Sequence, residues 1–313
     1  MKRKMEFEEF ANAVVENISE RLPESFQTAK ISLQMVMKNN DLRLTGLTIR
    51  RDGSNIAPTI YLEQFYEKYK EGADFGDILE EIAEIRVEND APENFDVSKI
   101  MDLPRYKNRI FPKLIGAGWN RDLLEKRPHV MIADLAVTFY IDLGSYGDGN
   151  MSIPIHNGLR DAWGVTADEL YDIAVSNLSS SGQGTFESIN DVIGDLLASL
   201  IPDEENCQDE NSNDMYVLSN RKRIDGASLL LDKGMMQRVI DRIGEDFYIL
   251  PSSIHECIIL PAIPEMDVAE LTAMVREINA TQVSVGDRLS DNVYRYTLSE
   301  GLKLACPRIA HMN

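Results

Sequence analysis

Phe247-Tyr248-Ile249-Leu250-Pro251-Ser252-Ser253-Ile254-His255-Glu256-Cys257-Ile258-Ile259-Leu260-Pro261 is two short apolar runs joined by a polar turn. Each run, Phe247 to Leu250 and Cys257 to Leu260, is rich in aromatic and β-branched side chains and bounded by proline, too short for a helix and suited to a buried strand. Pro251 has no N–H for a ladder bond and biases Leu250 toward extended backbone, so the first strand should end there and the chain turn at Ser252 and Ser253. That turn sets two hydroxyls, the His255 imidazole and the Glu256 carboxylate at the rim of an apolar sheet, where polar groups need partners. Two readings stay open. The serines close the backbone of a corner, or Ser252 or Ser253 is a nucleophile or ligand hydrogen-bonding group, with His255 as base and Glu256 or Asp134 orienting it.

Upstream, Val130 to Leu143 is apolar on both faces and reads as one long strand in the middle of a sheet. Asp134 falls inside it, and a carboxylate there has to be paired, with a neighbouring backbone group or an Arg as the expected partner. Gly144 to Asn150 is dense in turn residues and Met151 to Ile155 resumes a strand, which predicts a hairpin. That loop lacks the alternating oxygen ligands and closing Glu of a calcium-binding loop. Thr166-Ala167-Asp168-Glu169 is a capping box, and Ser188 to Asp191 should open a further helix with Val192, Ile193, Leu196, Leu197 and Leu200 inward. Between them, Gly182-Gln183-Gly184-Thr185 lacks the Lys-Ser/Thr ending of a phosphate-binding loop and reads as a flexible connection.

Toward the N-terminus the spacing predicts a helix over Glu6 to Leu22, strands over Lys30 to Met37 and Leu42 to Arg50 joined through Asn39-Asn40-Asp41, a helix marked by Tyr61, Leu62, Phe65, Tyr66 and Tyr69, and another capped by Asp74. Toward the C-terminus it predicts strands near Met215 to Leu218 and Ala227 to Leu231, helices over Gly234 to Ile243 and from Asp267, and a final hairpin around Ser299-Glu300-Gly301. Strands and helices mix without regular alternation. The expected class is α+β, with mixed, mainly antiparallel sheets, packed amphipathic helices, and one large domain or two subdomains. The expected division is an N-terminal region over 1–201, an acidic loop over 202–214 and a C-terminal region over 215–313 that carries the hinge.

The Tyr248-to-Glu256 run resembles the hallmark of an uncharacterised domain family of unknown function, found in Gram-positive gut anaerobes and often encoded on integrative and conjugative elements. Asp134-Leu135-Ala136-Val137, Trp163 to Tyr171, and Leu289-Ser290-Asp291-Asn292-Val293-Tyr294 fit the same family. The resemblance spans roughly residues 110 to 305 and implies no activity. A usual proline-arginine segment after the Asn177 helix is replaced here by Ser179-Ser180-Ser181-Gly182-Gln183-Gly184.

The 313 residues carry a formal charge of −20, which repels phosphate backbones, and the basic clusters are confined to Lys2 to Lys4, Arg50-Arg51 and Arg221-Lys222-Arg223. Direct nucleic-acid binding is therefore not expected. Cys207, Cys257 and Cys306 have no paired spacing, which fits a reducing cytoplasm without disulfides or a cysteine zinc site. No stretch reaches the ~20 apolar residues of a membrane helix. His129, His156, His255 and His311 lack metal-ligand spacing, and neither a nucleophile elbow nor a dinucleotide fingerprint is present. Ser219-Asn220-Arg221-Lys222 and Ser290-Asp291-Asn292 match two penicillin-binding motifs, but the third, Lys-Thr-Gly, is missing. No cofactor and no metal are expected. The leading expectation is a non-catalytic module that binds a protein partner in mobile-element biology. The alternatives are a hydrolase-like enzyme using the hinge and an acidic mimic of nucleic acid.

Overall fold

A computed structural model describes residues 4–90, 96–146, 149–190, 215–244, 246–263 and 266–305. Amphipathic helices pack on three sheets, and the strand registers run antiparallel, as the α+β reading requires. The chain groups into two compact units. One is Met1–Arg105 with Asp142–Ser152, the other Tyr106–Ile141 with Ile153–Asn313.

In the first unit, α1 (Phe7–Asn17) buries Phe10, Ala11 and Val14 along one stripe, then tightens into a 3-10 turn over Ile18–Arg21 that buries Ile18. β1 (Lys30–Met37) and β2 (Arg43–Arg50) pair along their full length, from Lys30↔Arg50 to Met37↔Arg43. Their connection needs positive φ at Asn40 (61°) and Asp41 (48°), a conformation Asn and Asp tolerate. β3 (Thr59–Tyr61) adds to β2, so Tyr61 is a strand residue and the expected helix begins later, as α2 (Glu63–Glu71). α3 (Phe75–Glu88) follows, capped by Asp74, whose Oδ1 accepts from the Gly76 N–H at 2.7 Å. One core joins Phe10, Val14, Leu47, Ile49, Phe65 and Ile82. Arg86 is buried in it. Its Nε donates to the Ile49 carbonyl at 2.7 Å, its guanidinium lies 4.6 Å from the Phe26 ring centroid, and it pairs with Asp90 at 2.9 Å. Arg51, from one of the basic clusters, pairs with the same Asp90 at 2.6 Å.

Short α4 (Leu103–Tyr106) precedes β4 (Ile110–Gly116), and α5 (Arg121–Leu124) precedes a hairpin. The long strand expected over Val130 to Leu143 is two strands, β5 (Val130–Ile132) and β6 (Leu135–Tyr146), folded together so that Val130 faces Val137 and Ile132 faces Leu135. The break is at Ala133, with φ of 54°. An apolar run lacking Gly or Pro gives no sign of it, and Asp134 consequently sits at a turn and not mid-strand. β7 (Gly149–Pro154) pairs with β6, as the predicted hairpin requires.

Two helices come next, α6 (Asn157–Trp163) and α7 (Ala167–Ser181), the latter opened by the Thr166–Glu169 capping box. The Thr166 hydroxyl accepts from the Glu169 N–H at 3.1 Å, and the Glu169 carboxylate accepts from the Thr166 N–H at 2.8 Å. α7 packs on β4, and the Asn177 amide donates to the carbonyls of Lys107 (2.7 Å) and Ile110 (2.9 Å).

The second unit's large sheet has the order β13-β12-β10-β11-β9-β8, made of β8 (Gly184–Ser188), β9 (Tyr216–Asn220), β10 (Asp246–Pro251), β11 (Cys257–Pro261), β12 (Tyr294–Thr297) and β13 (Gly301–Leu304). Its helices are α8 (Lys233–Ile243) and α9 (Val268–Thr281), capped by Asp232 and Asp267. Two expectations are corrected here. Gly184 is not part of a loose connection but begins an edge strand, where a Cβ would stand 2.2 Å from the Met235 methyl. Ala227 to Leu231 is not a strand but lies in a wholly buried 3-10 helix, Gly226–Leu231, because a short apolar run does not reveal its own period. The helix expected after Ser188 begins at Ile189 and Asn190, and its body from 191 on, like the acidic loop at 202–214, lies outside the described residues. β8 pairs with β9 all the same, so regions 1–201 and 215–313 share one sheet, and the compact units divide elsewhere.

Candidate functional site

β10 and β11 pair from Phe247↔Pro261 to Pro251↔Cys257, which leaves Ser252 to Glu256 to close the hairpin. The turn is held by its own atoms: the Ser253 N–H donates to the Glu256 carbonyl at 3.1 Å, and the Ser253 hydroxyl accepts from the His255 N–H at 3.0 Å. Ile254 is buried and bridges two other segments, donating its N–H to the Asp287 carbonyl (2.8 Å) and accepting from the Ala227 N–H (3.2 Å). The His255 carbonyl accepts from the buried Ser219 hydroxyl at 2.8 Å. Gly226 packs against this point so closely that a Cβ would lie 2.4 Å from the His255 carbonyl oxygen and 2.9 Å from the Asn220 nitrogen.

The imidazole is committed at both nitrogens. Nδ1 is 3.1 Å from the Asp225 main-chain nitrogen, and Nε2 is 3.2 Å from Asp287 Oδ1. A backbone N–H can only donate, so Nδ1 is the bare acceptor and Nε2 carries the proton that Asp287 accepts. Asp287 is braced through Oδ2 by the Ser284 hydroxyl at 2.7 Å. Asp225 pairs through its carboxylate with Lys113 at 2.8 Å. Glu256 lies 3.8 Å from Arg223, and both are partly exposed.

Of the five candidates, the fold brings Ser252, Ser253, His255 and Glu256 to one turn but gives the imidazole partners other than a hydroxyl. The carboxylate that orients His255 is Asp287, which sequence reasoning did not single out. It lies 32 residues downstream of His255, in a segment with no local pattern to mark it. Asp134 belongs to a different cluster.

There, Asp134 accepts from the Tyr294 hydroxyl at 2.7 Å and from the Asn292 side-chain amide at 2.8 Å, instead of from the neighbouring backbone group or Arg expected. Burial, and then the hydrogen bond to Asp134 and its negative charge, push the Tyr294 phenol far above its ordinary value despite the Ser290 side chain, which acts the other way, so it stays protonated and remains a donor. Leu289 to Tyr294 and Asp134 to Val137, two separate stretches of the family resemblance, thus meet in space. Asn279 belongs to the same neighbourhood, its Nδ2 donating to the Ser290 carbonyl (2.9 Å) and to Asp291 Oδ1 (2.7 Å). Cys257 is fully buried at the start of β11, and burial, with Glu256 nearby, pushes its thiol far up and away from thiolate reactivity.

Among the described residues, no group of three His, Cys, Asp or Glu side chains is placed to hold a metal ion, and no helix is long and apolar enough to cross a membrane. The chain matches DUF5688, described as a family of unknown function, over residues 7–297. Comparisons with curated proteins and with solved structures found no match.

Proposed function

We propose, from the premise that the chain belongs to the family of unknown function DUF5688, that it is a non-catalytic module whose hinge rim binds a protein partner. The observation that carries this reading is the commitment of His255. With Nδ1 on the Asp225 main chain and Nε2 on Asp287, the ring joins two loops and has no nitrogen left to activate Ser252 or Ser253. What the joined loops offer to solvent is an interface-like mixture. Ile224, next to Asp225, and Val285, two residues before Asp287, are 41% and 48% exposed, while Arg223, Glu256 and Asp287 add charge of both signs.

The ion pairs favour this reading over mimicry of a nucleic acid. Glu80, Glu81, Asp161, Asp246 and Glu300 are each paired with a Lys or Arg, so these carboxylates are interspersed with positive charge. A reducing cytoplasm is the proposed compartment, on the sparse cysteines and the free, buried Cys257. A mobile-element setting, as the family resemblance implies, is where we propose that the partner be sought.

The test is affinity capture from a host lysate with the full chain and with an Ile224→Asp, Val285→Asp double variant, followed by a binding measurement on any protein recovered. We expect one reproducible partner whose affinity falls at least tenfold in the double variant, as truncating central apolar contacts does. No reproducible partner, or a partner indifferent to both substitutions, contradicts the reading, as does robust turnover of a small substrate.

A further inference from the structure

Of the basic pair Arg50-Arg51, the ion pair with Asp90 accounts for Arg51, while Arg50 has no ion pair among the described residues. The β1–β2 register sets Arg50 directly opposite Lys30, which has none either. Side chains alternate across a strand, so Lys30, Ser32 and Gln34 share a face with Thr48 and Arg50, while Ile31, Leu33, Leu47 and Ile49 meet the core on the other. β3 adds Thr59 beside Thr48. These six side chains border a groove of about 400 Å³, a volume in the range of small-molecule sites, ~300 to 1,000 Å³. The loop from Asn55 to Ala57 completes the lining, held by Ser54, whose hydroxyl donates to the Ile56 carbonyl at 2.7 Å. Like charges directly opposite on an antiparallel pair repel. Elsewhere in this chain carboxylates take up such cations, as Glu80 does for Arg21, Glu81 for Lys68 and Asp246 for Arg295. With 52 acidic against 32 basic residues, a carboxylate is the charged neighbour most available, yet none lines this groove.

We propose that this groove binds a small hydroxylated phosphate monoester, of the sugar phosphate class, with its phosphate seated between Lys30 and Arg50. Such a phosphate carries about −1.5 to −2 charges at neutral pH, which matches two cations better than one carboxylate does. The Arg50 guanidinium is a planar fork that takes two phosphate oxygens, and Lys30 adds a point charge. Ser32, Gln34, Thr48 and Thr59 can each donate and accept, as the hydroxyls of the ligand require. No aromatic ring is part of the lining, so a nucleobase would find nothing to stack on. The net charge of −20 repels anions in general, and attraction has to come from a local cluster such as this one. The groove belongs to the unit built on Met1–Arg105 and the hinge to the other, so either assignment stands if the other fails.

The test titrates the full ¹⁵N-labelled chain at low salt with glucose 6-phosphate, glucose, gluconate and inorganic phosphate, reading the backbone amides of Ser32, Thr48 and Thr59. We expect glucose 6-phosphate to shift these signals saturably. Glucose, gluconate and inorganic phosphate should each bind about tenfold more weakly or less, for want of the charge, the second charge or the hydroxyls. Arg50→Gln and Lys30→Gln should each weaken glucose 6-phosphate about tenfold, the loss of a charge-assisted hydrogen bond. Both positions are exposed and either change relieves the cross-strand repulsion, so the variants should stay folded. Arg50→Lys keeps the charge without the fork and should fall between wild type and Arg50→Gln. Glucose or gluconate binding as tightly as glucose 6-phosphate, inorganic phosphate binding as tightly, affinity indifferent to Arg50→Gln and Lys30→Gln, or no shift at these amides would each overturn the proposal.

Discussion

Asp134 shows how much one turn residue can decide. Sitting beside the strained Ala133, it takes hydrogen bonds from Tyr294 and Asn292, residues about 160 positions away. Tyr294 is fully buried, so Asp134→Ala removes the charged acceptor of its phenol hydroxyl and leaves it the Ser290 side chain. We predict a loss of about 1.5–3 kcal/mol, the range for a hydrogen bond to a charged group. Asp134→Asn should lose less, because the amide oxygen still accepts. Urea midpoints check this, and an unchanged midpoint for Asp134→Ala would mean that the Ser290 side chain replaces Asp134 in full. The sequence points to Asp134 as a group needing a partner but not to which one. Pairing over such a separation depends on the fold, and nothing near Asp134 encodes it.

At the level of elements, what was legible had a local cause. The capping box at Thr166–Glu169, the Asp74 and Asp267 caps and the Pro-bounded hinge strands each follow from a few neighbouring residues, and each is present. What was missed lacked such a cause. Ala133 breaks a strand without Gly or Pro, Gly226–Leu231 is an apolar run too short to show its period, and β8 exists because Gly184 lets an edge strand lie against Met235 and Leu229. Gly226 supports the hinge in the same way, through closeness of backbone. In Gly226→Ala the new methyl meets the His255 carbonyl and the Asn220 nitrogen, main-chain atoms that cannot swing aside as a flexible side chain would. We predict a cost of about 1–3 kcal/mol, with faster amide exchange at Ala227 and Ile254, which bridge the hinge to its neighbours. Wild-type exchange at both amides would show that the two segments are not packed as described.

For the whole molecule, the groups held below their ordinary values act in one direction below neutrality. Partial desolvation, reinforced by the charge of Arg127, holds the His156 imidazole, still open to solvent, below its ordinary value of 6.5. The unfolded chain therefore binds a proton there that the folded chain resists, and stability falls as pH drops through about 6.5. Asp96, Glu169 and Glu300 are held below the usual carboxylate range by hydrogen bonds from Ser98, Thr166 and Lys303, so their contributions are present above the unfolded carboxylate values and are lost in more acidic solution. Both effects have the same sign. We predict urea midpoints that decline from pH 7.5 to 5.5 and a flatter decline in His156→Gln. A midpoint rising over that range would contradict the assignment. Net charge could be read from composition, but this dependence could not, because it comes from the partial desolvation of His156 beside Arg127.

At the centre of the proposed function is an imidazole that ties two loops together and does not serve a serine. The most direct measurement is ¹⁵N NMR of the His255 ring in the full chain at neutral pH, with and without Ser252→Ala. The structure predicts a proton on Nε2, a bare Nδ1 hydrogen-bonded to the Asp225 main chain, and ring signals that Ser252→Ala leaves in place. A proton on Nδ1, or an Nε2 resonance that moves when the Ser252 hydroxyl is removed, would instead show a base aimed at a nucleophile, and the reading as a binding module would fall.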